Sequence, residues 1–366
     1  MSPGVWPRLC ARLSRVLMRL TVALLAAPHA SWGRAMQAEL AAVDRGDEAL
    51  AFAWGCLRTA IAVALTDVAA ALTPAHRAGL AACTTTVLLG GIALLAAGAP
   101  APLAGMNLAS LLVAVLGLGL LPLRRWQHDE VLRARLCAGG GALLLATALN
   151  PLPGSGASPW LHAGPVHLNL MWLLLPALLV AADTPRRTPT PPGALAGLLM
   201  ATAALGLLAE GALAGLVASV IGLRAVRSRS PALAWIAAGA AATALHVGGA
   251  DTEATRFVDG VVHAGFEHSL SLGLALAMLQ LLPLWPALRH RCARPHGIVW
   301  AGLVALSFAG LMPSPLVGFG GSLIAGYLLS LALLPADRAP RPRDHPAPAQ
   351  AGVHRDPPAW PRSGLT

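Results

Sequence analysis

Residues 80–123 read LAACTTTVLLGGIALLAAGAPAPLAGMNLASLLVAVLGLGLLPL, without a charged side chain. Pro100-Ala101-Pro102 divides this stretch into two apolar runs. Each run has the roughly 20 residues that an α-helix needs to cross the hydrocarbon core of a bilayer. Within lipid the backbone polar groups must be bonded inside the segment, which favours helix. The stretch therefore predicts two membrane-spanning helices, at 80–99 and 103–123.

The rest of the chain extends this pattern. Of its 366 residues 56% are hydrophobic and only 11% are charged, whereas a soluble domain has about a quarter of its residues charged. We therefore predict an all-α, polytopic integral membrane helix bundle of about ten transmembrane helices. The further apolar runs that we assign as spans are 136–150, 165–183, 193–208, 211–224, 232–248, 261–283, 297–311 and 318–335.

The arginines lie in alternate loops between these runs. They occupy 124–135, 186–187, 224–229 and 289–294, and they recur in the Pro/Arg-rich tail, whereas 151–164 has none. Because an excess of arginine marks cytoplasmic loops, we predict a bacterial cytoplasmic (inner) membrane protein with both termini in the cytosol. The arginines do not form one continuous basic face, so nucleic acid is not expected as a partner.

Three regions follow from this pattern. We predict an N-terminal cytosolic or interfacial helical segment at 1–79, a transmembrane domain at 80–335, and a disordered cytosolic tail at 336–366. Arg8, Arg12, Arg15 and Arg19 recur at spacings of four, three and four, which indicates an amphipathic helix on an anionic leaflet rather than a cleaved signal peptide.

The apolar run 49–72 is long enough to span but contains Arg58 and Asp67. A charge at the bilayer centre costs about 2.5–3.5 kcal/mol on insertion scales. We therefore interpret this run as interfacial, or as packed against other helices.

Side chains that can carry chemistry gather in the arginine-poor loops. Residues 249–268 read GADTEATRFVDGVVHAGFEH, where Asp259, His263 and Glu267 share one face if the segment is helical. Acids near membrane depth are rare and usually functional. Glu210 stands alone between two apolar runs and is either functional or a water-exposed helix end. His162 and His167 are either functional or interfacial residues near the lipid headgroups.

The histidines, acids and cysteines do not occur at the spacings that are typical of metal sites. His263, Glu267 and His268 form neither an HxxxH nor an HExxH pattern, and the five cysteines form no CxxC pair. We therefore assign no metal site from the residues themselves and interpret the cysteines as packing residues.

Three segments resemble the SEDS family of shape, elongation, division and sporulation proteins. Pro315–Ser322 (PLVGFGGS) resembles the family's PFISYGGS, and Trp160–Gly164 (WLHAG) is similar to its RWIxLG. Asp259, with Glu267 eight residues on, resembles the stretch that holds the family's presumed catalytic acid. The chain departs from the pattern at Pro159, where the family has arginine, and in residues 1–79, which have no counterpart.

This resemblance implies a ten-helix membrane protein of cell-wall assembly. It implies either a peptidoglycan glycosyltransferase that uses lipid II or an inactive relative, with a cell-wall transpeptidase as partner. Asp259 and Glu267 would be catalytic, and Asp259 would deprotonate the acceptor hydroxyl or hold a divalent metal near the pyrophosphate. The implied substrate-binding residues are Trp160, Asn169, Glu210, His263, Gly320, Gly321 and Ser322.

A second resemblance is to rhomboid intramembrane proteases. Leu161–Leu168 (LHAGPVHL) looks like their LHAGWLHL, Gly215 to Gly222 fits GxSGxxxAxxG, and Asp259 with His263 and Gly265 fits their last motif. Ala214 stands at the nucleophile position, so no acyl-enzyme forms and the resemblance implies a pseudoprotease. A transporter or a non-enzymatic membrane scaffold is the remaining alternative.

Overall fold

The computed structural model describes residues 5–25, 29–120, 129–149, 159–163, 166–183, 189–247, 257–258, 260–318 and 320–334. The first five helices are α1 (Val5–Leu24), α2 (Ala30–Ala41), α3 (Gly46–Ala71), α4 (Pro74–Ala96) and α5 (Ala101–Leu120). After α6 (Glu130–Leu149), strands β1 (Trp160–Ala163) and β2 (Val166–Asn169) form an antiparallel hairpin. The remaining helices are α7 (Leu170–Ala181), α8 (Pro192–Leu207), α9 (Gly211–Ser228), α10 (Pro231–Val247), α11 (Val261–His268), α12 (Leu270–Leu281), α13 (Trp285–Arg289), α14 (Arg294–Phe308) and α15 (Gly321–Ala332).

The structure confirms that the described part of the chain is mainly helical and that several of its helices are apolar enough for a membrane. Six of the described helical segments are long and apolar enough to cross a membrane, and α7, α8, α10 and α15 are apolar but shorter. The predicted number of about ten membrane-spanning helices therefore stays a prediction. The six segments are Gly46–Asp67, Pro74–Ala96, Ala101–Leu118, Glu130–Leu149, Gly211–Ser228 and Leu270–Arg289.

The helices run between two ends of the bundle. At the hairpin end, α6 and α14 finish and α5, α7 and α15 begin, beside β1 and β2. At the opposite, arginine end, α7 and α9 finish and α6, α8 and α14 begin. The ion pair between Asp183, just after α7, and Arg224, near the end of α9, fixes this second grouping.

Small residues set the closest helix packing. The axes of α6 and α8 approach until a Cβ placed on Gly141 would lie 2.7 Å from the Cα of Gly197. Membrane helices associate through such small residues because lipid supplies no hydrophobic drive between them. On α15, Gly326 allows a similar approach to the backbone of Trp172 and Leu173 on α7.

Two predicted segments differ locally from the structure. The run 261–283 was predicted as one span but forms α11 and α12, separated at Ser269. The backbone of Ser269 is extended, and its hydroxyl accepts a hydrogen bond from Leu272 N, which caps α12. The predicted span 165–183 begins as strand β2, because its first residues pair with β1.

The N-terminal segment is helical, as predicted, and α1 and α3 lie side by side. Pro7 contacts Gly46 at one end, and His29 pairs with Asp67 at the other, at 3.3 Å. The two helices are therefore parallel, and Arg12, Arg15 and Arg19 of α1 are exposed. The segment Gly46–Asp67 is long and apolar enough to cross a membrane, so the interfacial interpretation of 49–72 stays a prediction. The predicted tail lies outside the described residues.

Candidate functional site

A buried, non-helical segment joins α14 to α15. All side chains from Met312 to Gly318 are buried, and Leu316 has a φ of 62°, in the left-handed region. Irregular backbone inside a membrane protein persists only where protein groups satisfy it. A non-glycine residue in this conformation costs about 1–3 kcal/mol, and such strain clusters at functional sites. We refer to Met312–Gly318 as the buried connection.

Asn107 of α5 holds the end of the buried connection. Its Nδ2 donates hydrogen bonds to Gly318 O at 2.9 Å and to Val317 O at 3.2 Å. Its Oδ1 accepts from Gly320 N at 3.5 Å. Because Asn107 is only 1% exposed, no water competes for these backbone groups. A single amide therefore pairs three backbone groups that helix geometry leaves open.

The buried connection also joins the segments that carry the predicted site. At its start, Ser314 N donates to Val258 O at 2.9 Å, next to Asp259 in sequence. Just beyond its end, the hydroxyl of Ser322 accepts from Asn169 N at 2.8 Å, at the base of the hairpin. Three stretches that lie far apart in the sequence thus meet at the hairpin end.

A cavity of about 510 Å³ opens beside the start of the buried connection. His263 and Glu267 line it from α11, one helical turn apart. The opposite wall is the end of α14 and the start of the buried connection, with Ser307 and Ser314. The volume lies in the range of small-molecule sites, about 300–1,000 Å³. We call it the hairpin-end pocket.

Polar side chains continue from this pocket into the bundle. Ser307 Oγ lies 3.3 Å from both Gln280 Oε1 and Ser314 Oγ. Ser307 is the donor in both directions, and because a hydroxyl has one proton, it donates to Gln280 Oε1 or to Ser314 Oγ at any one time. The Nε2 of Gln280 is buried and makes no hydrogen bond with the described residues. Sequence reasoning missed these residues, although polar side chains inside apolar runs are the signal that could have found them.

The other predicted residues support the site from outside the pocket. Trp160 packs edge-on against Trp172, with ring centroids 5.5 Å apart. The side chain of Asn169 caps α7, where its Oδ1 accepts from Trp172 N at 3.1 Å. Gly320 and Gly321 begin α15, and a Cβ on Gly321 would meet Ser110 of α5. These residues are placed to position the hairpin and α15.

Glu210 lies in the tight turn between α8 and α9 and does not line the hairpin-end pocket. The preceding Ala209 is left-handed, with a φ of 56°, and Glu210 N donates to Leu205 O at 3.0 Å. Its carboxyl group does not cap α9. Burial raises the pKa of Glu210 above its ordinary value, because the charged form is disfavoured away from water.

The acid and metal predictions centre on Asp259, which lies outside the described residues. Among the residues that the structure describes, no group of three His, Cys, Asp or Glu side chains could hold a metal ion. His263 and Glu267 alone supply two ligands, fewer than the metal sites of proteins require. We therefore derive no chemical step through a metal.

The two key positions of the rhomboid resemblance lie on different helices. Ala214 is fully buried in α9, which packs against α7, α8, α10 and α14. His263 lies on α11, which packs against α12 and α4. Helix α14 lies beside both positions, since it packs against α9 and faces His263 across the hairpin-end pocket, and the rhomboid resemblance stays a prediction.

Comparison with protein families, with curated proteins and with solved structures finds no match for this chain. Functional inference therefore rests on the residues of the chain and on their arrangement.

Proposed function

We propose that this protein acts in bacterial cell-wall assembly and binds a lipid-linked sugar, lipid II, in the hairpin-end pocket. In this proposal about ten helices cross the cytoplasmic membrane, both termini lie in the cytosol, and the hairpin end faces outward. In this proposal the protein is a SEDS-like glycosyltransferase, which transfers sugar units to a growing glycan strand in company with a transpeptidase, or an inactive relative of such an enzyme.

One observation carries the proposal: the buried connection meets two of the other segments that resemble SEDS proteins. It pairs with Val258 beside Asp259, and the following Ser322 pairs with Asn169 beside the hairpin. This meeting at one end of the bundle is what a site shared by the three segments requires. The alternation of arginine-rich and arginine-poor loops independently favours an outward hairpin end.

The chemistry requires a base at the acceptor sugar. A carboxylate takes the proton of the acceptor hydroxyl while the oxygen of that hydroxyl bonds to the anomeric carbon of the donor. The bond from that carbon to the diphosphate breaks, and the lipid diphosphate leaves with the electron pair. The SEDS resemblance assigns the base to Asp259, and Glu267 in the pocket is the second acid. In this proposal His263, which lines the same pocket, donates a hydrogen bond to the sugar.

Purified protein in lipid vesicles, with and without a transpeptidase from the same bacterium, should polymerise lipid II. We expect Glu267→Gln to lower the rate at least about 100-fold, since positioned acids and bases contribute about 10²–10⁴-fold. Glu210→Gln is the matched control, because it removes an acid at the same end of the bundle but outside the pocket. We expect this control to keep its activity.

Absence of polymerisation by the wild-type protein under every pairing would refute the glycosyltransferase proposal. Equal loss in the Glu267 and Glu210 variants would instead refute the assignment of the pocket. Binding of lipid II without polymerisation, abolished by Glu267→Gln, would identify an inactive relative that retains the substrate site.

A further inference from the structure

A second cavity, of about 220 Å³, lies at the arginine end of the bundle. Its walls come from the end of α7, the end of α9 and the start of α14, which are far apart in the sequence. Four arginines and one acid line it, together with two hydroxyl side chains. These residues are Arg224, Arg227, Arg291, Arg294, Asp183, Thr190 and Ser228.

One of the four arginines is already used by the protein. Arg224 Nε lies 3.1 Å from Asp183 Oδ1, and its Nη2 donates to Ala182 O at the end of α7. The side chain of Arg224 is only 12% exposed. This arginine therefore joins α9 to α7 and, with Asp183, adds no net charge to the cavity.

The other three arginines remain as excess positive charge. In the described part of the chain, no acidic side chain lies within ion-pair distance of Arg227, Arg291 or Arg294. Beyond ion-pair distance, Arg227 and Arg133 of α6 also act on the charge of Asp183, and Glu130 lies 4.0 Å from Arg133. The side chains of Arg227, Arg291 and Arg294 are exposed, so each is accessible to an anion in the cavity, and together they give the cavity a positive potential.

Orientation in the membrane does not account for this convergence. The positive-inside rule places arginines on the cytosolic side, but it does not require arginines of separate loops to line one cavity. The first turn of α14 also borders the cavity through Arg294 and Pro295, and no side chain caps this helix. Arg294 N already donates to Arg291 O and Pro295 has no N–H, so the donors available to an anion here are the arginine side chains.

We propose that this cavity binds a phosphate group, and that Arg227, Arg291 and Arg294 contact its oxygens. Guanidinium groups suit this ligand because their planar N–H donors match phosphate oxygens in pairs. The phosphate belongs either to a lipid headgroup of the cytosolic leaflet or to a soluble phosphate compound. Neither source is required by the function proposed for the hairpin-end pocket.

The test compares two triple variants in the full-length protein. Arg227→Gln/Arg291→Gln/Arg294→Gln removes the three arginines of the cavity that form no ion pair with the described residues, and it leaves the Arg224–Asp183 pair intact. The control, Arg77→Gln/Arg135→Gln/Arg229→Gln, removes three exposed arginines that do not line the cavity. Both variants lose the same charge from the predicted cytosolic side, so long-range attraction to anionic lipid changes equally.

Two binding measurements distinguish the sources. Native mass spectrometry of protein from nanodiscs that contain phosphatidic acid in phosphatidylcholine measures retained lipid phosphate. Titration with inorganic pyrophosphate in phosphatidylcholine nanodiscs measures soluble phosphate. We expect the cavity variant to bind at least one of these probes about tenfold more weakly than the wild type, and we expect the control to match the wild type.

The probe that separates the variants identifies the source of the phosphate. Equal binding by the cavity variant and the control, or no binding of either probe by the wild type, would overturn the proposal. Both variants retain the Arg224–Asp183 pair, so we expect both to fold like the wild type. Their thermal unfolding midpoints, measured without ligand, check this expectation.

Discussion

Gly141 offers the sharpest test of how the bundle is held together. Replacing it by alanine adds one Cβ, which would lie 2.7 Å from the Cα of Gly197 on α8. Carbon atoms in contact prefer about 3.5–4.0 Å, so the helices would have to separate by roughly 1 Å. The contacting atoms are backbone, so no rotamer change can relieve the overlap. We expect overpacking to cost about 1–3 kcal/mol.

Gly139, on the same helix, is the matched control because a Cβ placed there meets nothing within 4 Å. Alanine is the better helix former by about 1 kcal/mol, and this gain applies to both substitutions. The difference between Gly141→Ala and Gly139→Ala therefore isolates the contact. We expect Gly141→Ala to have a free energy of unfolding about 1–3 kcal/mol below that of Gly139→Ala.

Reversible unfolding by sodium dodecyl sulfate in mixed micelles, followed by circular dichroism, measures both free energies. Gly197→Ala should be destabilising as well, because its Cβ would meet the backbone of Cys137 and Ala138. In the double variant with Gly141→Ala the second substitution should have a smaller effect, since the helices are already apart. Equal stability of the Gly141 and Gly139 variants would refute this packing of α6 against α8.

Three other predictions concern the hairpin end and the topology. Asn107→Leu should lower the free energy of unfolding by about 2–6 kcal/mol, because it leaves two buried carbonyl groups unpaired at about 1–3 kcal/mol each; the same micelle titration checks this, and a loss no greater than that of Ser110→Ala would contradict it. Because burial raises the pKa of Glu210, the folded protein binds this proton more tightly than the unfolded chain. Stability from this group should therefore fall as pH rises from about 4.3 through its raised pKa. Glu210→Gln should be more stable than the wild type at pH 7 and should lose this pH dependence, and equal thermal stability at pH 7 would argue against it. Reporter fusions at Pro189, Ser228 and the C-terminus should report the cytosol, and those at Gly154 and Ala254 the outside, whereas an external C-terminus would overturn the topology.

The site was partly predictable from sequence. Polar residues in arginine-poor loops pointed to His263 and Glu267, and these two residues do line one cavity. The Asp259 assignment stays a prediction. Gln280, Ser307 and Asn107 were missed because each lies singly inside an apolar run, where its sequence neighbours are only membrane-helix residues.

The sequence by itself determined the helical class and the positions of the apolar helices. Both follow from properties that are local to the chain, since each apolar run must bond its own backbone groups. The sequence also shows that the arginines lie in alternate loops, which is independent of any contact between those loops.

Only the tertiary structure decided which segments meet. The pairing of Asn107 with Gly318 spans 211 positions, and the arginine-end cavity combines side chains from three separate helices. Likewise, the pairing of Ser322 with Asn169 depends on a partner 153 positions away. Hydropathy records how one segment interacts with its solvent. The satisfaction of a buried backbone group depends instead on a distant partner, which the folded bundle supplies.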